Sequence, residues 1–290
     1  PRSRGLGDAY KRQRATTIAD VFEAYAQYGE DAQIVAGGQS LMPILNMRLA
    51  TPKALVDING LSELTGITKS NGAIRIGSLT RIRELISAPE VAEYAPLLKL
   101  AAPHIAHPAI RNRGTVGGSL CHADPAAELP ACISVVDGRM NITGPSGERI
   151  VESENFFQGI FETSVLPGEL LSSIDIPVIK IGESVAFEEF VRRHGDYATL
   201  GLVARGCAED GKVSGLKLVF FSVSDRPISA WRTAQVLEGH QIDDQSLRAN
   251  LDAALEEDLS DIVKDVHTSV EAKKHLSCLL YTSPSPRDRG

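Results

Sequence analysis

Two pairs of adjacent glycines constrain the fold of this 290-residue chain more than any other feature. They lie in AGGQSLM at residues 36–42 and in TVGGSLC at residues 115–121, and the apolar segment QIV runs straight into the first pair. Glycine admits positive φ and carries no Cβ, so main-chain amides in such loops can converge on phosphate oxygens. Each pair alone is more typical of an ordinary turn, but the two together predict a site for a diphosphate.

The common nucleotide-binding motifs do not account for these loops. No G-x-G-x-x-G occurs at either position, and no G-K-[ST] follows either glycine pair. The sequence therefore argues against a Rossmann fingerprint and a P-loop. It favours a dinucleotide whose pyrophosphate is held from two sides by separate loops.

Composition excludes several other classes of protein. The formal net charge of −7 argues against a nucleic-acid binder, which would normally carry a basic surface. No apolar run reaches the roughly 18 residues of a membrane span, and no signal-peptide pattern opens the chain, so we expect a cytoplasmic protein. The four cysteines form no C-x-x-C pair, which favours reduced thiols over disulfides or iron–sulfur ligands.

Hydrophobic periodicity predicts a mixture of helices and strands up to about residue 180. Helices are predicted over 16–29, 80–91, 94–105 and 126–138. Strands are predicted over 33–38, 54–58, 73–80 and 170–178, with a hairpin over 139–151.

Beyond residue 183 the pattern changes to three long strands followed by helices. The strands are predicted over 186–193, 198–208 and 214–224, and the helices over 233–240, 246–258 and 270–280. Strands first and helices afterwards indicate a separate α+β domain. We therefore predict a first domain over 10–180 and a second over 184–280, and we interpret the Ser- and Pro-rich segment 281–290 as a non-native tail.

Five segments together resemble one known family over nearly the whole chain. They read AGGQSLMPILNMRL, LVDINGLSEL, IRNRGTVGGSLCHADPAAELPA, LLSSIDIP and FVRRHGDYATLG. This set is similar to the FAD-binding medium subunits of molybdenum hydroxylases, as in bacterial carbon monoxide dehydrogenase, xanthine dehydrogenase and nicotine or quinoline dehydrogenases. The resemblance implies an α+β fold: a vanillyl-alcohol-oxidase-like (PCMH-type) FAD-binding domain of two subdomains, plus a C-terminal domain with an antiparallel sheet and helices.

The resemblance also implies a set of residues that contact non-covalently bound FAD. In the first glycine loop and the strand before it these are Ile34, Val35, Ala36, Gly37, Gly38, Gln39, Ser40 and Leu41. In the second loop they are Thr115, Gly117, Gly118 and Ser119. Asp124 and Glu128 fall where the family holds the ribose hydroxyls, although Asp124 is equally well suited to cap a helix that begins at Pro125.

Apolar and aromatic positions complete the predicted site. Ile110 and Leu171 would line the flavin or the adenine, or serve simply as core residues. Tyr197 would stack near the isoalloxazine ring, and Arg192 would meet negative charge on the cofactor or form a surface ion pair. No catalytic acid or base and no metal ligand is assigned to this chain.

By the same resemblance, the chain is the FAD-carrying electron-transfer subunit of a heterotrimer. A large molybdopterin subunit would oxidise the substrate, and a small [2Fe–2S] subunit would deliver the electrons to FAD, in a dimer of heterotrimers. Three alternatives stay open: a stand-alone flavin oxidoreductase of the same fold, a flavin-free structural subunit, and a nicotinamide-dependent Rossmann dehydrogenase.

Overall fold

The computed structural model describes residues 10–241 and 244–282. The chain opens with a small parallel sheet of β1 (Lys11–Arg14), β2 (Ala32–Val35) and β3 (Ala54–Asp57), in the order β1-β3-β2. Helix α1 (Ile18–Tyr28) connects β1 to β2, and the short helix α2 (Leu41–Asn46) follows β2. The first glycine loop therefore lies between the end of a parallel strand and a helix. The strand before the loop was predicted from the sequence, and the helix after it was not.

Local sequence signals fix the ends of α1. Thr17 caps its first turn in a capping box with Asp20, in which the Thr17 hydroxyl accepts from the Asp20 amide at 3.3 Å. At the other end the chain leaves the helix at Gly29, whose φ of +56° favours glycine. The helix predicted over 16–29 is confirmed to within two residues at each end.

A second, antiparallel sheet forms the centre of the first part of the chain. The strands in this region are β4 (Ile67–Ser70), β5 (Ala73–Gly77), β6 (Arg139–Gly144), β7 (Gly147–Glu152), β8 (Phe157–Gly159), β9 (Glu162–Thr163) and β10 (Leu170–Pro177). The large sheet has the order β4-β5-β10-β6-β7, and β8 pairs with β9 separately. The hairpin predicted over 139–151 is confirmed as β6 and β7.

Helices between β5 and β6 cover one face of this sheet. They are α3 (Ile82–Ser87), α4 (Pro89–Tyr94), α5 (Pro96–Ala101), α6 (Pro108–Arg111), α7 (Val116–His122) and α8 (Glu128–Val135), and α9 (Ser153–Phe156) follows β7. The helix predicted over 80–91 is confirmed as α3 but is too long: α3 ends at Ser87, and a separate helix, α4, begins at Pro89. Proline has no amide hydrogen and forces the preceding residue, Ala88, into an extended conformation with ψ of 123°.

The last part of the chain is a four-stranded antiparallel sheet followed by helices. The strands are β11 (Glu183–Phe190), β12 (Leu200–Glu209), β13 (Lys212–Phe221) and β14 (Ile228–Ser229), and the helices are α10 (Trp231–Leu237), α11 (Arg248–Asp258) and α12 (Val270–Thr282). The three predicted strands are confirmed; the two-residue strand β14 was not predicted.

The predicted domain boundary near residue 180 falls between β10 and β11 and stays a prediction. The predicted non-native tail lies outside the described residues from position 283 onward.

One hydrophobic core continues across the two parts of the chain. Ile74 and Ile174 of the central sheet share a buried cluster with Leu129 of α8 and with Val203 and Phe221 of the C-terminal sheet. Each fully buried side chain of this size stabilises the fold by about 1.5–3 kcal/mol. The C-terminal sheet is thus fixed against α8, and the structure as a whole is the predicted mixture of α and β elements. Among the described residues, no helix combines the length and the apolar character needed to cross a bilayer.

Candidate functional site

A large cleft lies where the small parallel sheet, the central sheet and the C-terminal part of the chain meet. Its volume is about 870 Å³. Pockets for cofactors and other small ligands usually have volumes of about 300–1,000 Å³. Both glycine loops, the start of α8, the start of β10 and the segment 195–197 line it.

The first glycine loop presents main-chain amides to this cleft. Gly38 has a φ of +72°, a left-handed conformation that favours glycine. Within the part of the chain that the structure describes, the amides of residues 37–41 donate no hydrogen bond to a protein acceptor. A run of unpaired amides around a left-handed glycine is the arrangement that binds phosphate oxygens in proteins. This loop therefore fits a diphosphate.

Gly37 has a second role that the sequence did not reveal. A Cβ at this position would lie 2.9 Å from the Cα of Gly114 and would overlap the carbonyl oxygen of Arg113. Glycine is therefore needed here because the two loops pack backbone against backbone. This contact, and not only the access of phosphate to the loop, explains why residue 37 is a glycine.

The second glycine loop differs from the prediction that its amides are free. It is the first turn of α7, in which Thr115 is the N-cap and accepts from the Gly118 amide at 3.1 Å. The amide of Val116 donates to Thr80, that of Gly117 to Ser78 and that of Ser119 to Thr115, at distances of 2.8–3.0 Å. Every amide from 116 to 119 thus already has a protein acceptor. What this loop offers the cleft is the exposed Gly118 backbone and the hydroxyl of Ser119.

Packing also explains the glycine at position 117. A Cβ there would lie 2.8 Å from the carbonyl oxygen of Ser78. Ser78 follows β5, lines the cleft, and has a buried hydroxyl with no hydrogen-bond partner among the described residues. Sequence reasoning missed Ser78 because a lone serine after a strand carries no motif.

The two candidate carboxylates lie in different local structures. Asp124 is in a turn, where its Oδ1 accepts from the Ala126 amide at 3.0 Å. Helix α8 begins at Glu128 with Ala127 as its N-cap. The interpretation of Asp124 as a helix cap with Pro125 at the first helical position is therefore wrong, because the chain from 124 to 127 forms a turn and enters the helix only later.

Glu128 is a buried carboxyl group on the wall of the cleft, and it is 7% exposed. Burial, with smaller contributions from the negative charges of Glu189 and Asp124, raises its pKa from 4.5 to about 8. Glu189 lies behind it, where burial raises its pKa to about 7. Oε1 of Glu189 is 3.0 Å from Nδ1 of His104. The carboxyl of Glu128 is therefore available to exchange hydrogen bonds with hydroxyl groups in the cleft.

A loop from the C-terminal part of the chain reaches over the cleft. Gly195, with a φ of +87°, packs directly against the ring of His107, where any Cβ would overlap the imidazole. Tyr197 lines the cleft and is 67% exposed. Desolvation of its hydroxyl, followed by the adjacent Asp124 carboxylate, raises the pKa of Tyr197.

Arg111 holds the segment on which this loop packs. Its Nη1 donates to the carbonyl oxygens of Pro103, Ile105 and Ala106 at 2.7–3.0 Å. These bonds fix the segment that carries His107, on which the Gly195 loop packs. Arg111 and His107 were not predicted as part of the site.

Most of the predicted contact residues line this one cleft. They are Ile34, Ala36, Gly37, Gly38, Gln39, Ser40, Leu41, Ile110, Thr115, Gly117, Gly118, Ser119, Asp124, Glu128, Leu171 and Tyr197. Two are not among the lining residues: Val35 is buried in β2, and Arg192 is exposed, with its guanidinium 4.0 Å from Asp196. Their individual roles toward FAD stay predictions.

Residues that were not predicted complete the lining. They are chiefly Leu79, Ile105, His107, Gly114, Cys121, His122, Val165, Leu166, Pro167 and Glu169. Most of them come from loops whose proximity depends on the tertiary fold, and Cys121 and His122 come from α7. Among the described residues no group of three or more His, Cys, Asp or Glu side chains is placed to hold a metal ion. That this chain carries no metal stays a prediction.

Comparison with known proteins shows which proteins this chain is similar to. The family model for the FAD binding domain in molybdopterin dehydrogenase matches residues 8–179, and that for the CO dehydrogenase flavoprotein C-terminal domain matches residues 185–283. The chain is 38% identical to the alpha subunit of the 6-hydroxypseudooxynicotine dehydrogenase complex of Paenarthrobacter nicotinovorans, over 89% of this chain and 86% of that subunit.

Carbon monoxide dehydrogenases are similar in both sequence and structure. The medium chain from Afipia carboxidovorans is 35% identical, over 82% of this chain and 83% of its own length. A solved carbon monoxide dehydrogenase from Hydrogenophaga pseudoflava superposes with a TM-score of 0.89 at 30% identity, covering 94% of each chain. The chain therefore belongs to the family of FAD-binding medium subunits of molybdenum hydroxylases.

Proposed function

We propose that this chain holds FAD along the cleft and acts as the electron-transfer subunit of a heterotrimeric molybdenum hydroxylase. The observation that carries the placement of FAD is the row of unpaired amides over residues 37–41 around the left-handed Gly38. The pyrophosphate would lie on this loop, with the hydroxyl of Ser119 facing it from the second loop. Glu128 and Asp124 would accept hydrogen bonds from the ribose, and Tyr197 would lie against the flavin ring.

The proposed division of labour follows from the family. FAD, when bound, accepts electrons and passes them on, and the protein supplies its binding, orientation and electrostatic surroundings. Substrate oxidation would take place at molybdenum on a large partner, and two [2Fe–2S] clusters on a small partner would deliver the electrons. This is supported by the similarity to a medium chain of carbon monoxide dehydrogenase and to a subunit of a dehydrogenase complex. The dimer of heterotrimers, the PCMH-type subdivision of the FAD-binding domain and a cytoplasmic location belong to the same proposal.

A pair of glycine variants tests the placement of FAD. Gly38→Ala forces a side chain into a φ of +72° in the amide loop, and Gly72→Ala does the same at a φ of +74° in the turn between β4 and β5. Both changes carry a similar conformational cost, but only Gly38 lies on the cleft. We expect Gly38→Ala to lose bound FAD, measured by flavin absorbance per protein, and Gly72→Ala to retain it. Equal FAD contents in the two variants would contradict the placement.

Purification of the full chain from its native host tests the electron-transfer role. We expect a larger chain containing molybdenum and a smaller chain containing iron to copurify, as determined by metal analysis. Removal of FAD from this complex should abolish substrate-dependent reduction of the physiological acceptor but leave reduction of a dye that accepts electrons from the other centres. If the chain purifies alone and oxidises an organic substrate by itself, it is instead a stand-alone flavin oxidoreductase.

A further inference from the structure

Ser222 is a buried serine that links the C-terminal sheet to segments beside the cleft. It follows the last residue of β13 and has a φ of +61°, which is left-handed and uncommon for a residue with a side chain. Such a conformation persists only where the surrounding structure holds it in place. The hydrogen bonds of Ser222 show what holds it.

All three polar groups of Ser222 bond to different segments of the chain. Its amide donates to the carbonyl oxygen of Pro125 at 2.8 Å, and its hydroxyl donates to the carbonyl oxygen of Ala198 at 2.6 Å. Its own carbonyl oxygen accepts from Nζ of Lys273 at 2.7 Å. One residue thus joins three segments that are far apart in sequence.

Two of these segments continue directly from residues that line the cleft. Pro125 directly follows Asp124, and Ala198 directly follows Tyr197; both of these preceding residues line the cleft. The Asp124 carboxylate and the Tyr197 hydroxyl are close enough for the carboxylate to raise the pKa of the tyrosine. Ser222 therefore ties these two cleft-lining segments together, beside the direct contact between Asp124 and Tyr197.

The third segment anchors the serine from the side away from the cleft. Lys273, on α12, is 2% exposed, and its ammonium group is 3.0 Å from Oδ2 of Asp265. A buried ammonium must be paired and hydrogen-bonded, so the partners of Lys273 are fixed in position. One of those partners is the carbonyl oxygen of Ser222, and α12 thereby holds the serine in its left-handed conformation.

We propose that Ser222 is a positioning residue for the flavin cofactor, which fixes the spacing of the 124–128 and 195–198 walls and is itself held by Lys273 of α12. This inference rests on the proposed placement of FAD between those walls. Ser222 would then act on the cofactor without touching it, through the main-chain carbonyl groups of Pro125 and Ala198 that it binds.

Ser224 supplies a matched control. It lies two residues further along, is buried to a similar extent, and its hydroxyl donates to the carbonyl oxygen of Asp261 at 3.1 Å, with a longer contact of 3.3 Å to Oδ1 of Asp225. That bond lies within the C-terminal domain and reaches neither wall of the cleft. Ser222→Ala and Ser224→Ala therefore each remove one buried hydroxyl bonded to a main-chain carbonyl, and only the first loosens the cleft.

The experiment measures the rate at which FAD leaves the loaded full chain after dilution, by the rise in flavin fluorescence. We expect Ser222→Ala to release FAD about 2- to 10-fold faster than wild type, the factor that corresponds to one net hydrogen bond, and Ser224→Ala to release it at the wild-type rate. Wild-type release in Ser222→Ala, or equal acceleration in both variants, would overturn the proposal.

Ser222→Gly separates positioning from stability. Glycine accepts the left-handed φ without strain but lacks the hydroxyl, so we expect a thermal midpoint no lower than that of Ser222→Ala together with equally fast FAD release. Slow release in Ser222→Gly would show that backbone strain and not the hydroxyl bond matters, which overturns the proposal. If wild type itself binds no FAD in this cleft, the placement of FAD fails, and that result is recognised before any variant is made.

Discussion

Replacing Glu128 with glutamine tests the electrostatics of the cleft most directly. The side chain lies on the cleft wall at the first position of α8 and is almost fully buried. Burial raises its pKa from 4.5 to about 8. Glutamine has nearly the same shape and does not titrate, so the two proteins should differ only where this carboxyl group changes charge.

The sign of the effect follows from the two pKa values. Between about pH 4.5 and about pH 8 the unfolded chain has lost the proton of Glu128 while the folded, FAD-free protein keeps it. The free energy of unfolding therefore falls as the pH rises, by up to about 1.4 kcal/mol per pH unit. Over the whole interval the free energy of unfolding falls by about 5 kcal/mol. This stability is fully present below the pKa of Glu128 in the unfolded chain and is lost once the pH passes its pKa in the folded protein.

Urea unfolding of the FAD-free full chain measures this difference. We expect the stability of Glu128→Gln relative to wild type to increase steadily from about pH 5 to about pH 8 and then to level off. A difference between the two proteins that is the same at every pH would show that Glu128 is ionised in the empty cleft, and the reasoning from burial would be refuted.

Binding of FAD gives a second measure of the same group. If the ionised carboxylate accepts hydrogen bonds from ribose hydroxyls, FAD binding lowers the pKa of Glu128 and releases a proton. The wild-type Kd should then fall by up to about tenfold per pH unit in the same interval, and the Kd of Glu128→Gln should be independent of pH. Glu189→Gln, altered behind the cleft wall, should keep the wild-type direction of this dependence.

Three further outcomes follow from the geometry. Gly37→Ala should lower the free energy of unfolding of the FAD-free chain by about 1–3 kcal/mol in urea, because its Cβ overlaps the main chain of Arg113; unchanged stability would mean that the loops are not in contact. Thr115→Ala removes the cap that accepts from the Gly118 amide and should cost about 1 kcal/mol in the same assay. Tyr197→Phe should retain quenching of flavin fluorescence and Tyr197→Leu should lose it. Equal fluorescence in the two variants would show that the ring of residue 197 does not contact the flavin.

Local patterns in the sequence were sufficient for most of the fold. Hydrophobic periodicity ending at Gly29 was enough to predict α1, and the apolar pattern of the C-terminal segment was enough to predict β11 to β13. Helix boundaries near Pro89 were missed because the apolar periodicity continues across the break between α3 and α4. The periodicity reports which residues are buried, and it does not report whether the backbone stays helical between them.

The site was predicted in part, for a physical reason. Two glycine pairs mark places where the chain needs to approach something closely, but the sequence does not say what is approached. At Gly37 and Gly117 the neighbour is the protein's own backbone, and only the amides around Gly38 are left for a ligand. Lining residues such as Ser78 and His107 have no local signature, because they reach the cleft only through the arrangement of distant loops.

The position of β10 in the central sheet has a consequence for biogenesis. This strand, the last of its sheet to be synthesised, inserts between β5 and β6, and the residues at its start also form part of the cleft wall. A ribosome-bound chain that ends before Leu170 leaves one edge of β5 and one edge of β6 unpaired and lacks part of the pocket lining. The segment 195–197 also lines the cleft and is synthesised after β10, so we expect cofactor capture to follow the emergence of both segments. Pairing across such long sequence separations is intrinsically slow.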